Sequence, residues 1–338
     1  MAPKARLGGF KVLKDVFWFS LLFPKQNENT PATLCQRFTD EKINLPYITC
    51  LNNSHTWGMN IAVDAPDGSH ISRILQETGT KTVYDPKSVI LSIFPHKNDP
   101  EITGGLLSAL GKEDEVPKAW ANSPSAISIV MQEDHLNTAS AALFGPFSFS
   151  AYRTPEDWKL AQKGKEKLYK EVVASYQEKQ PKIYGLSVQE NQELVHIKAN
   201  EEDLGILGKA FGEFGRLGLN LTFLTTGPCQ DAGKGLLAFC LPRSEEPSLT
   251  SVVKGVGTHM EMDNRSPVAT FAMNGPHFGD RYGIAGGLMK VFHEKGIELL
   301  GLNCTIASII GVVPSEQTES AIEALQSYFE IPTIIRKD

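Results

Sequence analysis

The hydrophobic positions in the last third of the chain follow two spacings, one typical of strands and one typical of helices. A strand-like run comes first, then a helical pattern, two more strand-like runs and a second helical pattern, at 267–273, 282–295, 297–304, 307–313 and 315–329. Ser315 stands where the N-cap of the last helix is expected. This order predicts two helices packed on a four-stranded antiparallel sheet, which is the ferredoxin-like α+β fold.

The segment before it repeats this order of elements. Strand-like runs at 194–199, 219–225 and 235–241 surround a helical pattern at 203–216, and a weaker helical pattern lies near 245–255. The second half of the chain therefore predicts two units of the same kind.

The first half of the chain matches the second half at a fixed offset of 182 residues. The run "ITGGLLSAL" at 102–110 lies over "IAGGLMKVF" at 284–292, and the same register pairs 125–147 with 307–329. A weaker match pairs "INLPYIT" at 43–49 with "LNLTFLT" in the second half. A register kept over this length predicts two similar halves, 1–150 and 182–338.

The segment 151–181 between the halves is predicted to be a linker helix. Thr154 suits the N-cap and Pro155 the first helical position, and apolar residues from Trp158 to Tyr176 follow at helical spacing. The lysines of this segment alternate with glutamates, which favours a solvated helix face over a site for a polyanion.

With these residues in view, the sequence resembles the paired ACT domains of the aspartokinase regulatory region. The segment "KIYGLSVQENQELVHIKANEEDLGILGKAF" at 182–211 reproduces the strand, turn and strand that lead into the first ACT unit. The glycine-rich loop and helix "GPHFGDRYGIAGGLMKVF" at 275–292 is similar to the corresponding part of the second unit. The resemblance covers nearly the whole chain and is closest in the second half.

The resemblance implies an α+β protein of four ferredoxin-like (βαββαβ) ACT units, arranged as two tandem pairs with antiparallel sheets. The units are expected at about 14–80, 85–150, 192–262 and 265–330. The first strand of each half is expected to cross over and complete the sheet of the second unit. Units are also expected to pair side by side into eight-stranded sheets, so that one chain forms a pseudo-dimer.

Composition and charge exclude several other classes of protein. The chain has 338 residues, 41% hydrophobic and 21% charged, with a formal net charge of −6. This charge provides no basic field for nucleic acid or an anionic membrane surface, and no apolar run reaches the roughly 20 residues that span a bilayer. Five scattered cysteines and the lack of a signal-peptide pattern favour a cytoplasmic protein with reduced thiols.

The sequence contains none of the common catalytic or cofactor motifs. There is no P-loop, no cluster of Cys and His at zinc-ligand spacing, and no local signature of a nucleophilic triad. The two halves and the linker account for the whole chain without an aspartokinase catalytic domain. We therefore expect a protein that is not an enzyme and that needs no cofactor and no metal.

The glycine-rich loop at 274–284 is the first candidate ligand site. Its glycines are spaced too widely for a dinucleotide loop and are separated by bulky residues. An acid beside an arginine suits a zwitterion, so an amino acid is the expected ligand; a surface ion pair on a tight turn is the alternative. The candidate residues are Asn274, His277, Gly279, Asp280, Arg281, Tyr282, Gly283 and Ile284.

The corresponding loop of the preceding unit, with the strand that follows, is the second candidate. In the ACT family this loop and a strand of the neighbouring subunit enclose the effector. The alternative is that Asp203 only caps a helix. The candidate residues are Asn200, Asp203, Gly205, Ile206, Asn220 and Thr222.

The N-terminal half lacks the glycines of this loop. The segment "HKNDPEI" at 96–102 is shorter and contains a proline, although Asp99 can still cap the following helix. We therefore expect this half to be structural and ligand binding to be concentrated in the C-terminal half.

The leading hypothesis is a non-catalytic regulatory protein that binds an amino acid at the interfaces between ACT units. A homodimer or a partner enzyme is the expected macromolecular partner. The alternatives are an ACT scaffold without ligand that mediates protein association, and an aspartokinase-like regulatory subunit that acts on a separate enzyme. The first alternative is favoured because the acid and proline positions usual in the family are missing from the first unit of each half, while the intact glycine loop at 275–287 argues against it.

Overall fold

The structure is a computed structural model that describes most of the chain. The described residues are 4–25, 30–53, 56–162, 180–231, 233–245, 248–252, 261–275, 278, 281–305 and 308–337. The helices are α1 (Pro31–Asp40), α2 (Ala65–Glu77), α3 (Pro100–Lys112), α4 (Leu136–Ala142), α5 (Pro155–Gln162), α6 (Leu204–Arg216), α7 (Ile284–Glu294) and α8 (Thr318–Tyr328). The strands are β1 (Ala5–Leu7), β2 (Gly9–Pro24), β3 (Tyr47–Asn52), β4 (Thr56–Asp64), β5 (Lys81–Phe94), β6 (Ala119–Asn122), β7 (Ile127–Gln132), β8 (Phe147–Phe149), β9 (Gly185–Ala199), β10 (Phe223–Pro228), β11 (Gly235–Pro242), β12 (Glu261–Asn274), β13 (Gly301–Thr305), β14 (Ser308–Pro314) and β15 (Ile334–Lys337).

Side-chain caps begin several helices at the predicted positions. A carboxylate oxygen of Asp99 accepts a hydrogen bond from the Glu101 backbone N–H at 2.8 Å, at the start of α3. The Thr154 hydroxyl accepts from the Asp157 N–H at 3.2 Å, at the start of α5. Such caps satisfy backbone donors that have no partner within the helix.

Four local predictions differ from the structure or extend beyond its described part. Ser315 begins a single 3₁₀ turn instead of capping α8, and its carbonyl accepts from the Thr318 hydroxyl at 2.8 Å. The strand predicted at 297–304 is regular only from Gly301, as β13. In the predicted linker segment the structure has the helix α5, and the predicted continuation through 163–179 lies outside the described residues, as does the end of the weaker helix at 253–255.

Thirteen strands form one large, mostly antiparallel sheet, which confirms the α+β class. The sheet contains two eight-stranded regions, which we call the first and the second array. Four long strands (β2, β5, β9 and β12) run through both of them. The first array has the order β5-β2-β4-β3-β13-β14-β12-β9, with β15 added in parallel at its edge. The second array has the order β2-β5-β7-β6-β10-β11-β9-β12. Each array therefore combines strands from both halves of the chain.

The long strands pass from one array to the other at irregular positions near their middles. Asp15 in β2 and Asn191 in β9 have φ values of 56° and 54°, in the left-handed region that Asp and Asn tolerate better than most residues. The β2–β5 register shifts between Leu13 and Val16, and the β12–β9 register shifts between Arg265 and Val268.

The predicted crossing of the first strands is confirmed. The first part of β9 pairs with the second part of β12, where Val188 lies opposite Phe271. The start of β2 pairs with the end of β5, where Val12 lies opposite Leu91. The halves then meet in the first array through the antiparallel pair β3–β13, and in the second array through β6–β10.

The two arrays pack face to face, and the helices cover their outer faces. The core of the first array includes side chains of α1, α2, α7 and α8, while that of the second includes α3, α4, α5 and α6. Between the arrays, a smaller core contains Leu51, Phe223 and Ile310. The Thr49 hydroxyl crosses this space and donates to the Thr226 carbonyl at 3.0 Å.

Three chemical features of the described residues bear on function. No helix among them is long and apolar enough to cross a membrane. All five cysteines are free. Within the described ranges, no three His, Cys, Asp or Glu side chains come together in a way that could hold a metal ion.

Candidate functional site

A pocket lies between α1 of the N-terminal half and α7 of the C-terminal half, on the outer face of the first array. The empty space between its walls is about 320 Å³ including open solvent at the mouth, and the enclosed part holds about one water molecule. Its lining residues are Cys35, Phe38, Thr39, Ile43, Leu45, Phe278, Arg281, Gly283, Ile284, Ala285, Gly286 and Cys304.

The start of α7 gives the pocket a polar end. Gly283 caps the helix with φ 86°, a left-handed conformation that glycine adopts without steric cost. Its carbonyl accepts from the Gly287 N–H at 2.8 Å and from the Tyr328 hydroxyl at 3.0 Å. The N–H groups of the first turn, at Ile284 and the next two residues, have no acceptor within the helix. They carry the positive end of the helix dipole at the pocket.

Close packing of the helices explains two of the glycines that the sequence singles out. A Cβ at Gly286 would lie 2.3 Å from the Thr39 hydroxyl oxygen and 2.8 Å from the Cys35 carbonyl oxygen, so glycine is needed where α7 crosses α1. A Cβ at Gly287 would lie 2.0 Å from the ring of Tyr328. The glycine pattern of the motif therefore follows from packing and does not by itself indicate a ligand.

The repeated motif of the N-terminal half has the same packing role. A Cβ at Gly104 in α3 would lie 2.6 Å from the Gly212 nitrogen and 2.7 Å from the Gly208 oxygen, both in α6. A Cβ at Gly105 would lie 3.2 Å from the ring of Phe147. The offset of 182 residues thus pairs Gly104 with Gly286, and each lies where a helix of one half crosses a helix of the other.

Charge in the pocket is concentrated at Arg281. Burial raises the pKa of the Tyr328 hydroxyl, and the charge of Arg281 acts in the opposite direction, so the two groups lie close together. Burial raises the pKa of Cys35 to about 12 and that of Cys304 well above its ordinary value, which keeps both thiols uncharged. Among the described residues that line the pocket, Arg281 is therefore the charged one and the two thiols are neutral.

The structure brings three residues of the first candidate loop to the pocket: Arg281, Gly283 and Ile284. Tyr282 is half-buried and is not part of the lining. Asn274 lies at the end of β12, where its amide oxygen accepts from the Ser308 hydroxyl at 2.7 Å. His277, Gly279 and Asp280 lie outside the described residues.

The second candidate loop forms a helix cap. The Asn200 amide oxygen accepts from the Asp203 N–H at 3.1 Å, and the Asp203 carboxylate accepts from the Asn200 N–H at 2.8 Å. Both side chains are thus engaged in a capping box, as the helix-cap alternative predicts. Gly205 and Ile206 follow in the first turn of α6, where both are partly exposed.

Asn220 and Thr222 lie just before β10, at the end of the sheet opposite to Asn200 and Asp203. Asn220 is exposed, and the buried Thr222 hydroxyl donates to the Gln192 side-chain oxygen at 3.1 Å. Between them, the Leu221 N–H donates to the carbonyl of Asn98 in the N-terminal half at 3.2 Å. The two parts of the second candidate site are therefore separated by the length of β10, and the structure does not bring them together.

The sequence did not predict the wall of the pocket that α1 and the following segment provide. Phe38 and Thr39 come from α1, and Ile43 and Leu45 from the residues just before β3. Part of the pocket wall therefore comes from the N-terminal half, for which only a structural role was expected. The weak match of 43–49 to 219–225 was the available signal, because it aligned this segment with part of the second candidate site.

The sequence matches no protein-family model and no curated relative. Among solved structures, aspartate kinase from Synechocystis superposes on 96% of this chain, with a TM-score of 0.76 and 12% identity. The ligand-free regulatory subunit of aspartate kinase from Thermus thermophilus matches 44% of this chain and 99% of its own, with a TM-score of 0.39 and 15% identity. E. coli aspartokinase III in complex with lysine and aspartate matches 46% of this chain and 35% of its own, with a TM-score of 0.34 and 17% identity.

The first of these matches contradicts the prediction that this protein is not an enzyme. The solved protein that shares its fold over 96% of the chain is an aspartate kinase, which is an enzyme. Residue motifs indicated only the regulatory region of such a kinase, and 12% of the aligned positions are identical. This chain spans 56% of the length of that kinase, and at this identity the match establishes the shared fold.

Proposed function

We propose that this chain regulates an aspartate-kinase-type enzyme by binding an amino acid in the pocket between α1 and α7. The observation that carries the proposal is the composition of that pocket. A helix N-terminus and Arg281 meet there between the two halves of a chain that has an aspartate kinase fold.

The polar end of the pocket suits a carboxylate. Arg281 supplies a guanidinium group, and the first turn of α7 supplies N–H donors that have no partner within the helix. A carboxylate that accepts from both gains charge-assisted hydrogen bonds, which are roughly twice as strong as neutral ones. Arg281 is half-buried, and this strengthens the hydrogen bonds further, because water screens their charges less.

Regulation requires that the ligand favour one arrangement of the two halves over another. A ligand in this pocket contacts α1 and α7 together, so its binding free energy depends on how closely these helices approach. If a second arrangement holds the helices farther apart, the ligand shifts the population towards the closed one. The coupling to the enzyme is then the difference in affinity between the two arrangements.

We also propose that the two arrays consist of four ACT units, at about 14–80, 85–150, 192–262 and 265–330. The sequence resemblance, the 182-residue offset and the matching roles of Gly104 and Gly286 support this division. Each array would then be one side-by-side pair, with one unit from each half of the chain.

The test is a binding measurement on the whole chain. Each of the common L-amino acids is added, and the melting temperature is recorded; a ligand at 100 times its Kd adds about 2.7 kcal/mol to the free energy of unfolding. Each amino acid that raises the melting temperature is then titrated by calorimetry into the parent, into Arg281→Gln and into the matched control Arg243→Gln. The Arg243 side chain is exposed on a 3₁₀ turn. Arg281→Gln should weaken binding about 10- to 100-fold, as expected for the loss of a charged hydrogen bond.

The kinase part of the proposal is tested on the same protein. ADP formation from ATP in the presence of aspartate is measured for the chain alone and together with any aspartate kinase of its source, with and without the bound amino acid. An amino acid that binds through Arg281 and changes this rate supports the proposal. If no amino acid raises the melting temperature, the ligand part is wrong and the scaffold alternative is favoured.

A further inference from the structure

We infer that the edge of β5 at 81–85 is a docking site for the same edge of a second copy of this chain. The two strands would pair antiparallel and join two first arrays into one continuous sheet. This contact does not depend on ligand binding in the α1–α7 pocket. Exposed apolar side chains along an unpaired edge, and the charges at the two ends of that edge, support it.

The first five residues of β5 are paired on one side only. On that side they pair antiparallel with β2, where Val83 lies opposite Ser20. On the other side, the pairing with β7 begins only at Ser88. Within the described ranges no strand continues this pairing along 81–85, so an added strand has backbone partners there. Pro86, which has no N–H group, ends the stretch that can accept it.

Apolar side chains are exposed on both faces of this edge. Val83 is 60% and Tyr84 59% exposed. The Tyr84 ring lies 5.7 Å from the ring of Phe17 and 6.1 Å from that of Phe19, on the face covered by helices. Val83 points to the opposite face, because successive side chains of a strand alternate. Proteins usually protect a free edge with charges, so exposed apolar residues on both faces indicate an edge that another strand covers.

The corresponding free edge of the second array, in the first five residues of β12, is protected by charge. Glu261 forms an ion pair with Lys198 at 2.9 Å. Arg265 forms one with Glu298 at 2.7 Å. Asp263 is exposed between them, and antiparallel self-pairing centred there would place it opposite Asp263 of the second copy. Because like charges directly opposite each other are destabilising, this edge does not suit a second copy.

The β5 edge is self-complementary when the pairing is centred on Val83. Val83 then lies opposite Val83 of the second copy, and Thr82 lies opposite its Tyr84. A β-branched residue opposite an aromatic one is a favourable cross-strand pair. At the ends of the paired stretch, Lys81 of each copy lies opposite Asp85 of the other, so opposite charges meet twice.

The Asp85 end of the edge carries further negative charge. Asp85 itself forms an ion pair with Lys118 of its own chain. The 3₁₀ turn that follows β7 lies against β5 and adds the carboxylates of Glu133 and Asp134. Lys81 of the second copy would therefore approach a group of three acids.

A pairing shifted by one residue lacks this complementarity. Centred on Tyr84, it would place Lys81 opposite Lys87 of the second copy, and Val83 opposite its Asp85. The first contact repels, and the second places a carboxylate against an apolar side chain. The sequence of the edge thus favours the pairing centred on Val83.

A cysteine cross-link tests this pairing in the whole chain. In Val83→Cys the two introduced thiols lie directly opposite each other, with Cβ atoms about 4.5–5.5 Å apart, so oxidised glutathione should give a disulfide-linked dimer. In the matched control Tyr84→Cys the two thiols are diagonal neighbours about 7–8 Å apart, and little linked dimer should form. Non-reducing gels measure the linked fraction, and the parent, with its own five cysteines, gives the baseline.

Sedimentation equilibrium tests the contact without a cross-link. Val83→Lys places two like charges at the centre of the pairing and should raise the Kd of the dimer at least about tenfold. Met262→Lys is the matched control, because Met262 is 41% exposed on the β12 edge, and it should leave the Kd unchanged. Circular dichroism should show the same melting temperature for both variants, since both side chains stand in solvent.

Three results would overturn the inference. A parent chain that stays monomeric at every concentration measured would show that a second copy does not occupy the edge. A Kd that rises in Met262→Lys and stays unchanged in Val83→Lys would place the contact elsewhere. Equal cross-linking of Val83→Cys and Tyr84→Cys would contradict the pairing centred on Val83.

Discussion

At the scale of single residues, Gly286 allows α1 and α7 to approach each other closely, because it has no side chain. A methyl group there would lie within 2.8 Å of the Cys35 carbonyl oxygen, which belongs to the backbone and cannot rotate away. We expect Gly286→Ala to lower the free energy of unfolding by about 1–3 kcal/mol, as overpacking does in other cores. Chemical denaturation of the parent and the variant measures the difference.

Gly212 in α6 is the matched control, because a Cβ at this position would have no neighbour within 4 Å. Alanine there removes the entropic cost of glycine in a helix and should raise the free energy of unfolding by up to about 1 kcal/mol. Opposite signs for the two substitutions are the expected result. If Gly286→Ala also stabilises the chain, the packing role assigned to the pocket glycines is incorrect.

His96 is the residue for which we expect a clear dependence of stability on pH. It is completely buried, its Nε2 lies 2.9 Å from the Thr103 hydroxyl oxygen, and burial lowers its pKa from 6.5 to about 4. Above pH 6.5 the imidazole is neutral in both the folded and the unfolded chain. Between pH 6.5 and about 4 the unfolded chain binds a proton that the folded chain does not, so stability falls as pH falls.

His96→Gln removes this contribution and leaves the other titrating groups in place. The variant should have a lower free energy of unfolding than the parent at neutral pH. The difference between the two free energies of unfolding should narrow by about 2 kcal/mol near pH 5. Thr103→Ala keeps the buried imidazole and serves as the control, since its gap should not narrow in this way. Urea unfolding of all three proteins at the two pH values measures the gaps. Parallel pH profiles for the parent and His96→Gln would contradict the prediction.

At the scale of elements, the order of helices and strands could be predicted because it depends on local spacing. The helical patterns at 203–216 and 282–295 correspond to α6 and α7 within a few residues. The offset of 182 residues aligned the helix-crossing glycines correctly, because equivalent packing positions tolerate only small residues. The start of a strand such as β13 was less predictable, since the apolar residues Ile297 and Leu299 before it are buried without being part of the strand.

The passage of four long strands through both arrays was only partly visible in the sequence. The crossing of β2 and β9 followed from the family resemblance, but the left-handed residues that divide them did not. Asp15 and Asn191 adopt this conformation because the strands on either side follow different partners, and no local pattern encodes those partners. The same limit applies to the pocket, where Arg281 is local to its loop but Thr39 arrives from a helix more than 200 residues away.

At the scale of the whole molecule, the interleaved arrays indicate that the two halves unfold together. Strand β3 of the N-terminal half pairs with β13 of the C-terminal half, where Cys50 lies opposite Leu302. Every array contains strands of both halves, and a single core under α1 and α7 includes residues of both. Loss of packing in one half should therefore be transmitted to the other.

The distribution of tryptophan allows a direct test. All four tryptophans lie between positions 18 and 158, so their fluorescence reports on the N-terminal half and the start of the linker. Leu302→Ala creates a cavity at a fully buried site in the C-terminal half and should cost about 2–5 kcal/mol. If the halves unfold as one unit, the fluorescence and circular dichroism midpoints in urea should both fall by the same amount.

Leu217→Ala is the control, because this leucine also lies in the C-terminal half but its side chain is 55% exposed. It should leave both midpoints nearly unchanged, since little apolar surface is lost from the core. Independent halves would give another result for Leu302→Ala: an early loss of circular dichroism while the tryptophan fluorescence midpoint stays where it is in the parent. That result would also remove the physical basis for regulation through the α1–α7 pocket, because a ligand there can couple the halves only if their packing is shared.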